Sequence, residues 1–105
     1  MIELKVIGHI TADAIGKMVG DKHVSSFAVA VNEKVYKDGQ TTERVTFVNC
    51  AIWERPDYQK YLLKGTQIYL DGVISVQAFL TKDDKPAYAI NLSVRHSELL
   101  GTPKN

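Results

Sequence analysis

Apolar and polar side chains alternate with a period of two in three stretches of the first half of the chain. Apolar residues occupy every second position of residues 2–6 and recur at Ile10, and the alternation returns in residues 26–31 and 45–53. A period of two is typical of strands with one face buried. The pattern therefore predicts strands one, two and three at these places.

The segments between these strands carry turn signals. Residues 11–25 hold two glycines and no periodic pattern, which predicts a long loop or an irregular edge extension. Residues 32–42 are mostly polar and contain the pair Asp38-Gly39, which strongly favours a hairpin turn. We expect a long flexible hairpin between strands two and three.

One helix is predicted after strand three. Pro56 and Asp57 suit the start of a helix, and Lys64 and Gly65 suit its end. Three large side chains spaced i, i+3 and i+4 give it an apolar side. They are Tyr58, Tyr61 and Leu62.

Two more strands complete the pattern. Residues 67–80 form strand four, which is too long to run flat through Asp71-Gly72, so we expect a bend there. A charged tip at residues 81–86 precedes strand five, in which alternating apolar residues run from 88 to 94.

The order β-β-β-α-β-β predicts an all-β protein, a five-stranded OB-fold barrel with one short helix between strands three and four. The single domain is expected to span residues 1–101, and residues 102–105 carry no pattern and are expected to form a short disordered tail.

Composition narrows the class of protein. The 105 residues suit one domain, and 45% hydrophobic residues suit an ordered core. The net charge of +1 neither suggests nor excludes a nucleic-acid partner. A single cysteine, Cys50, excludes an internal disulfide and favours a reducing compartment. Without a signal peptide or an apolar run of about 20 residues, we expect a cytoplasmic protein with no membrane contact.

Aromatic residues on strand three are the main functional signal. Phe47 and Trp53 share one face of this strand, whereas its other face already carries three apolar side chains for a core. The two rings lie roughly 20 Å apart along the strand, a span that suits several stacked bases. Phe79 and Tyr36, near the two hairpin tips, could extend the platform. The alternative is that Phe47 and Trp53 fill a second small core.

Both hairpins also carry cations that could bind phosphate. Lys34, Lys37 and Arg44 flank the first hairpin, and Lys82 and Lys85 flank the second. Nearby acidic residues neutralise much of this charge, and each lysine taken alone is more typical of a solvated surface than of a phosphate site. With about three phosphates bound, the slope of log K against log salt would be near −2.

Enzyme chemistry finds no support in the sequence. Adjacent Asp83 and Asp84 form a turn rather than a facing acid/base pair, and the three histidines have no nucleophile or metal-ligand partner at a recognisable spacing. A Gly-rich phosphate loop is also absent. We expect neither catalysis nor a cofactor.

Several stretches of the chain resemble the bacterial single-stranded DNA-binding protein family. They are residues 5–10, 27–33, 61–72 and 97–101. Residues 61–72 match the family's Tyr-Leu-x-Lys-Gly-x-x-Val-Tyr-x-x-Gly pattern with one conservative exchange. The resemblance covers residues 1 to about 101.

The resemblance implies specific roles. The family's base-stacking positions fall on Phe47, Trp53 and Phe79, with a fourth near Val35 or Tyr36. It also implies a homotetramer, or at least a dimer.

Two departures from the family change what is expected. Where relatives often carry basic residues, this chain has Asn49, Ser75, Gln77 and Ala78, which does not favour strong, salt-resistant binding. The long tail with an acidic partner-binding tip has no counterpart in residues 101–105, so recruitment of repair enzymes through such a tip is not predicted.

The leading hypothesis is sequence-independent binding and protection of single-stranded DNA in replication, recombination or repair. The alternative is a primosome-type protein-interaction module, in which the same barrel face grips a partner protein and binds little DNA.

Overall fold

The computed structural model describes residues 1–101, which form one sheet and a short helix. The strands are β1 (Glu3–Ile10), β2 (Ile15–Val19), β3 (Lys22–Lys37), β4 (Gln40–Trp53), β5 (Gln67–Leu80) and β6 (Pro86–Gly101), and a 3₁₀ helix spans Pro56–Tyr61. Hydrogen bonds join the strands in the order β1-β5-β6-β4-β3, and β1 also pairs with β3. Five strands therefore close into a barrel, and the predicted all-β, five-stranded OB-type architecture is confirmed.

The barrel encloses one apolar core. Inward-facing side chains alternate with outward-facing ones along each strand, and the most deeply buried include Val29, Ile68 and Leu70, each at 0% exposure. Leu62, immediately after the 3₁₀ helix, is also fully buried and closes the core at one end. Burial of such side chains, at about 1.5 to 3 kcal/mol each, is the main force that holds the barrel together.

Of the two alternatives predicted for residues 11–25, the long loop is wrong and the edge extension is confirmed. Ile15–Val19 form β2, which pairs antiparallel with the start of β3 and reverses direction at Gly20-Asp21. This hairpin extends the sheet beyond the closed barrel, so most of β2 is exposed on both faces. Without a buried face the strand has no apolar alternation, and its sequence therefore looks irregular.

The long hairpin predicted at residues 32–42 is present, and its two arms are regularly paired strand. β3 and β4 stay paired without interruption out to Lys37 and Gln40. The turn between them is Asp38-Gly39, and both residues have positive φ, 53° and 75°. Two positive φ values are the requirement of a type I′ hairpin turn, which matches the right-handed twist of the strands. The Asp-Gly turn signal is confirmed.

The predicted helix is shorter and tighter than its sequence suggests. It is a six-residue 3₁₀ helix that ends at Tyr61, before Lys64 and Gly65. Pro56 occupies its first turn as expected, because a helix start needs no amide proton there. Tyr58 contacts the rest of the barrel through a hydrogen bond from the Ser97 hydroxyl at 3.1 Å, whereas Tyr61 is about half exposed.

The bend predicted at Asp71-Gly72 is confirmed as a register shift between β5 and β6. A side chain at Gly72 would collide with the backbone carbonyl of Ser93 on β6. The absence of a side chain lets the two strands approach closely while β5 turns around the barrel. β6 extends well beyond the predicted strand five, to Gly101. The tail predicted at 102–105 lies outside the described residues.

Candidate nucleic-acid interface

The two faces of β4 differ sharply in burial. Val48, Cys50 and Ile52 point into the core and are 2 to 4% exposed. Phe47 and Trp53 point outward and are 62% and 39% exposed. The predicted open position of these rings is confirmed, and the alternative of a second core beneath them is excluded.

Small side chains lie between the two rings. Across the β3–β4 ladder, Phe47 lies opposite Ala30 and Ala51 lies opposite Ser26. A shallow groove of about 400 Å³ lies among β3, β4 and β6, and its lining includes Ser26, Ala51 and Asn91. We call this outward surface of the barrel the aromatic face. Its residues are Ser26, Ala28 and Ala30 on β3, Phe47, Asn49, Ala51 and Trp53 on β4, Asn91 and Ser93 on β6, and Ser75, Gln77 and Phe79 on β5.

The middle of the aromatic face is polar but uncharged. β4 and β6 run parallel and pair only over residues 49–51 and 91–93. There the side-chain amide of Asn49 donates to the side-chain oxygen of Asn91 at 3.3 Å. An amide pair offers no charge to phosphate and few fixed donors to a particular base. The middle of the aromatic face therefore suits a ligand that is held mainly by stacking of its flat surfaces.

The end of β4 is fixed beside Trp53. Glu54 adopts a left-handed backbone conformation with φ of 62°, which is rare outside glycine and costs about 1 kcal/mol or more. Two hydrogen bonds compensate for it: the Glu54 amide donates to the His23 carbonyl at 2.8 Å, and the His23 amide donates to a Glu54 carboxylate oxygen at 3.0 Å. They hold the chain after Trp53 against the start of β3.

Phe79 lies on a projecting arm formed by the outer ends of β5 and β6. It is 49% exposed, opposite Ala87, and its strand register places it on the aromatic face. The arm ends in a turn in which the Thr81 amide donates to the Lys85 carbonyl at 2.9 Å. Lys82 and Lys85 therefore lie at the tip, and neither forms an ion pair with another residue of the described chain.

The hairpin of β3 and β4 separates the remaining predicted residues. Tyr36 is 77% exposed and, with Lys34, lies on the same side of the hairpin as Phe47. Lys37 and Arg44 lie on the opposite side of this hairpin. Arg44 also forms an exposed ion pair with Glu33 at 2.9 Å, so its guanidinium is already engaged. The structure thus brings Phe47, Trp53 and Phe79 to one face but divides the predicted cations.

Two exposed rings were not among the predicted site residues, Tyr61 on the 3₁₀ helix and Tyr88 on β6. Tyr88 belongs to the alternating pattern that predicted strand five, yet it is 71% exposed. It lies opposite Ala78, on the reverse side of the β5–β6 arm from Phe79. The arm extends past the core, so side chains on both of its faces meet solvent, and alternation alone does not show where the core ends.

Other site chemistries receive no support from residues 1–101. They contain no cluster of three His, Cys, Asp or Glu side chains suited to a metal ion, and no helix long and apolar enough to cross a membrane. Burial raises the pKa of the Cys50 thiol to about 12, so it stays neutral within the core. The pKa of Tyr69 is also raised, by desolvation and then by its hydrogen bond to Asp71.

Comparisons with known proteins agree with this geometry. The model described as the single-strand binding protein family matches residues 1–100. A single-stranded DNA-binding protein of Oceanobacillus iheyensis is 31% identical over 81 residues, covering 75% of this chain and 50% of the relative. One from Chlamydia muridarum is 29% identical over 93 residues, covering 85% and 56%. The chain therefore spans about half the length of these relatives.

Solved structures show the same fold. A Plasmodium falciparum SSB in complex with ssDNA superposes with a TM-score of 0.77 at 18% identity, covering 96% of both chains. A small single-stranded DNA-binding protein from Streptomyces coelicolor superposes with a TM-score of 0.76 at 11% identity, covering 93% of both. Because the family model matches almost the whole sequence, this chain belongs to the single-strand binding protein family.

Proposed function

We propose that this protein binds and protects single-stranded DNA, without sequence preference and without catalysis, during replication, recombination or repair. One observation carries the proposal: Phe47 and Trp53 are exposed on one face of β4, and the residues between them on this face are small. Membership of the family, and relatives named for binding single-stranded DNA, support it.

Stacking is the interaction that this face favours. Every base has a flat aromatic surface, and stacking on an exposed ring contributes roughly 1 to 3 kcal/mol per base whatever the base is. Small neighbours such as Ala30 leave room beside Phe47, and the rings lie roughly 20 Å apart along β4, as strand geometry requires. Phe79 on the β5–β6 arm extends the same surface, and Tyr36 at the far end of the other hairpin is a fourth, weaker candidate.

Phosphate contacts supplement the stacking. Lys34 lies on the side of Phe47, and Lys82 and Lys85 lie at the tip of the β5–β6 arm. Three such contacts predict a slope of log K against log salt of about −2. Lys37 and Arg44 contribute less than their positions in the sequence suggested, since they lie on the other side of the hairpin. We expect binding that weakens clearly as salt is raised.

We also propose that the protein forms a homo-oligomer, a tetramer or at least a dimer. The support is the free edge of β1: one side of this strand pairs with β5, whereas the other pairs with β3 only at His9 and Ile10. An unpaired strand edge is a template for a strand of another chain. Ile2 and Ile7, 63% and 51% exposed, lie beside or within this strand. Sedimentation equilibrium measures the assembly directly.

A titration of the protein with poly-dT tests the DNA-binding proposal. Trp53 is the one tryptophan of the sequence, so its fluorescence reports on the aromatic face alone. We expect quenching at low salt and weaker binding at moderate salt. Phe47→Ala is expected to lose roughly 1 to 3 kcal/mol of binding free energy, because one stacking ring is removed.

Tyr61→Ala is the matched control. Tyr61 is 49% exposed but belongs to the 3₁₀ helix and not to the strands that form the aromatic face, so this variant should bind like the parent. Unchanged Trp53 emission at low salt would overturn the proposal and favour the protein-interaction module. Equal losses in both variants would remove the aromatic face as the binding surface.

A further inference from the structure

The β2–β3 hairpin carries two lysines on the aromatic side of the barrel. The strand registers place Lys17 opposite Val24, and Val24 opposite Trp53, so these three side chains form one row across β2, β3 and β4. Lys22 lies opposite Val19 and is therefore a diagonal neighbour of Lys17 on the same face. The row places a pair of cations beside the ring at one end of the aromatic face.

Val24 lies in the middle of this row. Val24 points outward, on the side of Trp53, and yet it is only 3% exposed. Its neighbours across the two ladders are Trp53 on one side and Lys17 on the other. The backbones of β2 and β4 are about 10 Å apart, twice the strand spacing, and a lysine stem extends over much of that gap.

The charges near this row are not neutralised by partners. Lys17 and Lys22 form no ion pair with any residue in the range 1–101. Glu54, the carboxylate next to Trp53 in the chain, accepts a hydrogen bond from the His23 amide at 3.0 Å. Asp21, in the hairpin turn, is the acidic residue next to Lys22 in the chain. By contrast, Lys34 faces Glu43 directly across its ladder.

We propose that Lys17 and Lys22 form a phosphate-binding site for the DNA backbone next to the base stacked on Trp53. This inference rests on the proposed binding of single-stranded DNA. A base on Trp53 leaves its sugar and phosphate at the edge of the ring, and on the β2 side that edge faces the lysine pair. The DNA strand then leaves the barrel over the β2–β3 hairpin. The cations predicted on the other two hairpins lie away from this path.

The test is the salt dependence of poly-dT binding by the double variant Lys17→Gln/Lys22→Gln. With single strands each phosphate contact contributes about 0.7 to the log–log salt slope, so these two further contacts steepen the parent slope from about −2 to about −3.5, and the double variant should return it to about −2. Quenching of Trp53 at saturation should stay at the parent level, because the base still stacks. The variant Lys17→Arg/Lys22→Arg should keep the parent slope, since it keeps both charges.

Lys5→Gln/Lys64→Gln is the matched control, because it removes the same charge from residues outside the aromatic face. It should keep a slope near that of the parent. A parent slope in the Lys17→Gln/Lys22→Gln protein, or an equal drop in the control, would overturn the phosphate site. Absence of poly-dT binding by the parent would instead overturn the proposed function itself, so the two failures are distinguishable.

Discussion

Asn49 on β4 donates a hydrogen bond from its side-chain amide to the side-chain oxygen of Asn91 on β6, at 3.3 Å, across 42 positions of sequence. This bond belongs to the first of the three residue pairs through which the β4–β6 ladder forms in the described barrel. It lies in the middle of the aromatic face and makes that middle polar and neutral. The proposed DNA contacts of this face therefore come from rings at its ends and from lysines at its margins.

Replacing Asn49 by lysine should strengthen binding of poly-dT and make it more sensitive to salt. The new ammonium would lie between Phe47 and Trp53, where a bound backbone passes, and should steepen the log–log salt slope by about 0.7. Asn49→Ala is the control, since it removes the same hydrogen bond without adding charge. Identical slopes for Asn49→Lys and the parent would show that no phosphate passes the middle of the face.

Gly72→Ala should destabilise the barrel. The added methyl group would collide with the Ser93 carbonyl where β5 bends, and overpacking of this kind costs typically about 1 to 3 kcal/mol. Urea unfolding followed by circular dichroism measures the loss. Gly101→Ala is the matched change, because a methyl group there meets open space. Equal stability of Gly72→Ala and the parent would mean that β5 and β6 separate easily at the bend.

Phe79 and Tyr88 should differ in their effect on DNA binding, although both are exposed aromatics on the same arm. Phe79→Ala removes a ring from the aromatic face and should lose roughly 1 to 3 kcal/mol of poly-dT binding free energy. Tyr88→Ala removes a ring from the reverse side and should bind like the parent. Thermal melting checks that both variants are folded. Matching losses would show that DNA wraps around both sides of the arm.

The buried thiol of Cys50 should make stability sensitive to alkaline pH. Its pKa is raised from 9.0 to about 12 in the folded protein, so the unfolded chain loses the proton first as pH rises. The contribution of the protonated Cys50 thiol to the free energy of unfolding is complete below about pH 9. It is lost as pH rises toward 12, by about 1.4 kcal/mol per pH unit at most.

Urea titrations of the parent and of Cys50→Ala at pH 7 and pH 10 measure this contribution. Tyrosine and lysine ionisation is common to the two proteins, so the parent alone should show the additional alkaline loss. Parallel pH dependence in the two proteins would contradict it.

Local pattern was sufficient to predict the two faces of β4. Val48 and Phe47 point to opposite sides because strand alternation is a property of neighbouring residues alone. The Asp38-Gly39 turn and the bend at Gly72 were also predictable, since both depend on residues with unusual backbone freedom.

Features outside the closed barrel could not be predicted in the same way. β2 buries no complete face, so its five residues lack the apolar alternation that identifies a strand. Tyr88 continues a regular pattern past the point where the core ends. The positions of Lys17 relative to Trp53, and of Asn49 relative to Asn91, depend on strand pairing between distant segments, which no local pattern encodes.

The most direct test of the central claim is ultraviolet cross-linking of the protein to oligo-dT, with the linked residues identified by mass spectrometry. Cross-linking requires a base in contact with the side chain, so it reports stacking residue by residue. We predict cross-links at Phe47, Trp53 or Phe79, the rings of the aromatic face. Cross-links confined to Tyr58, Tyr61 or Tyr88, with none on that face, would contradict the account.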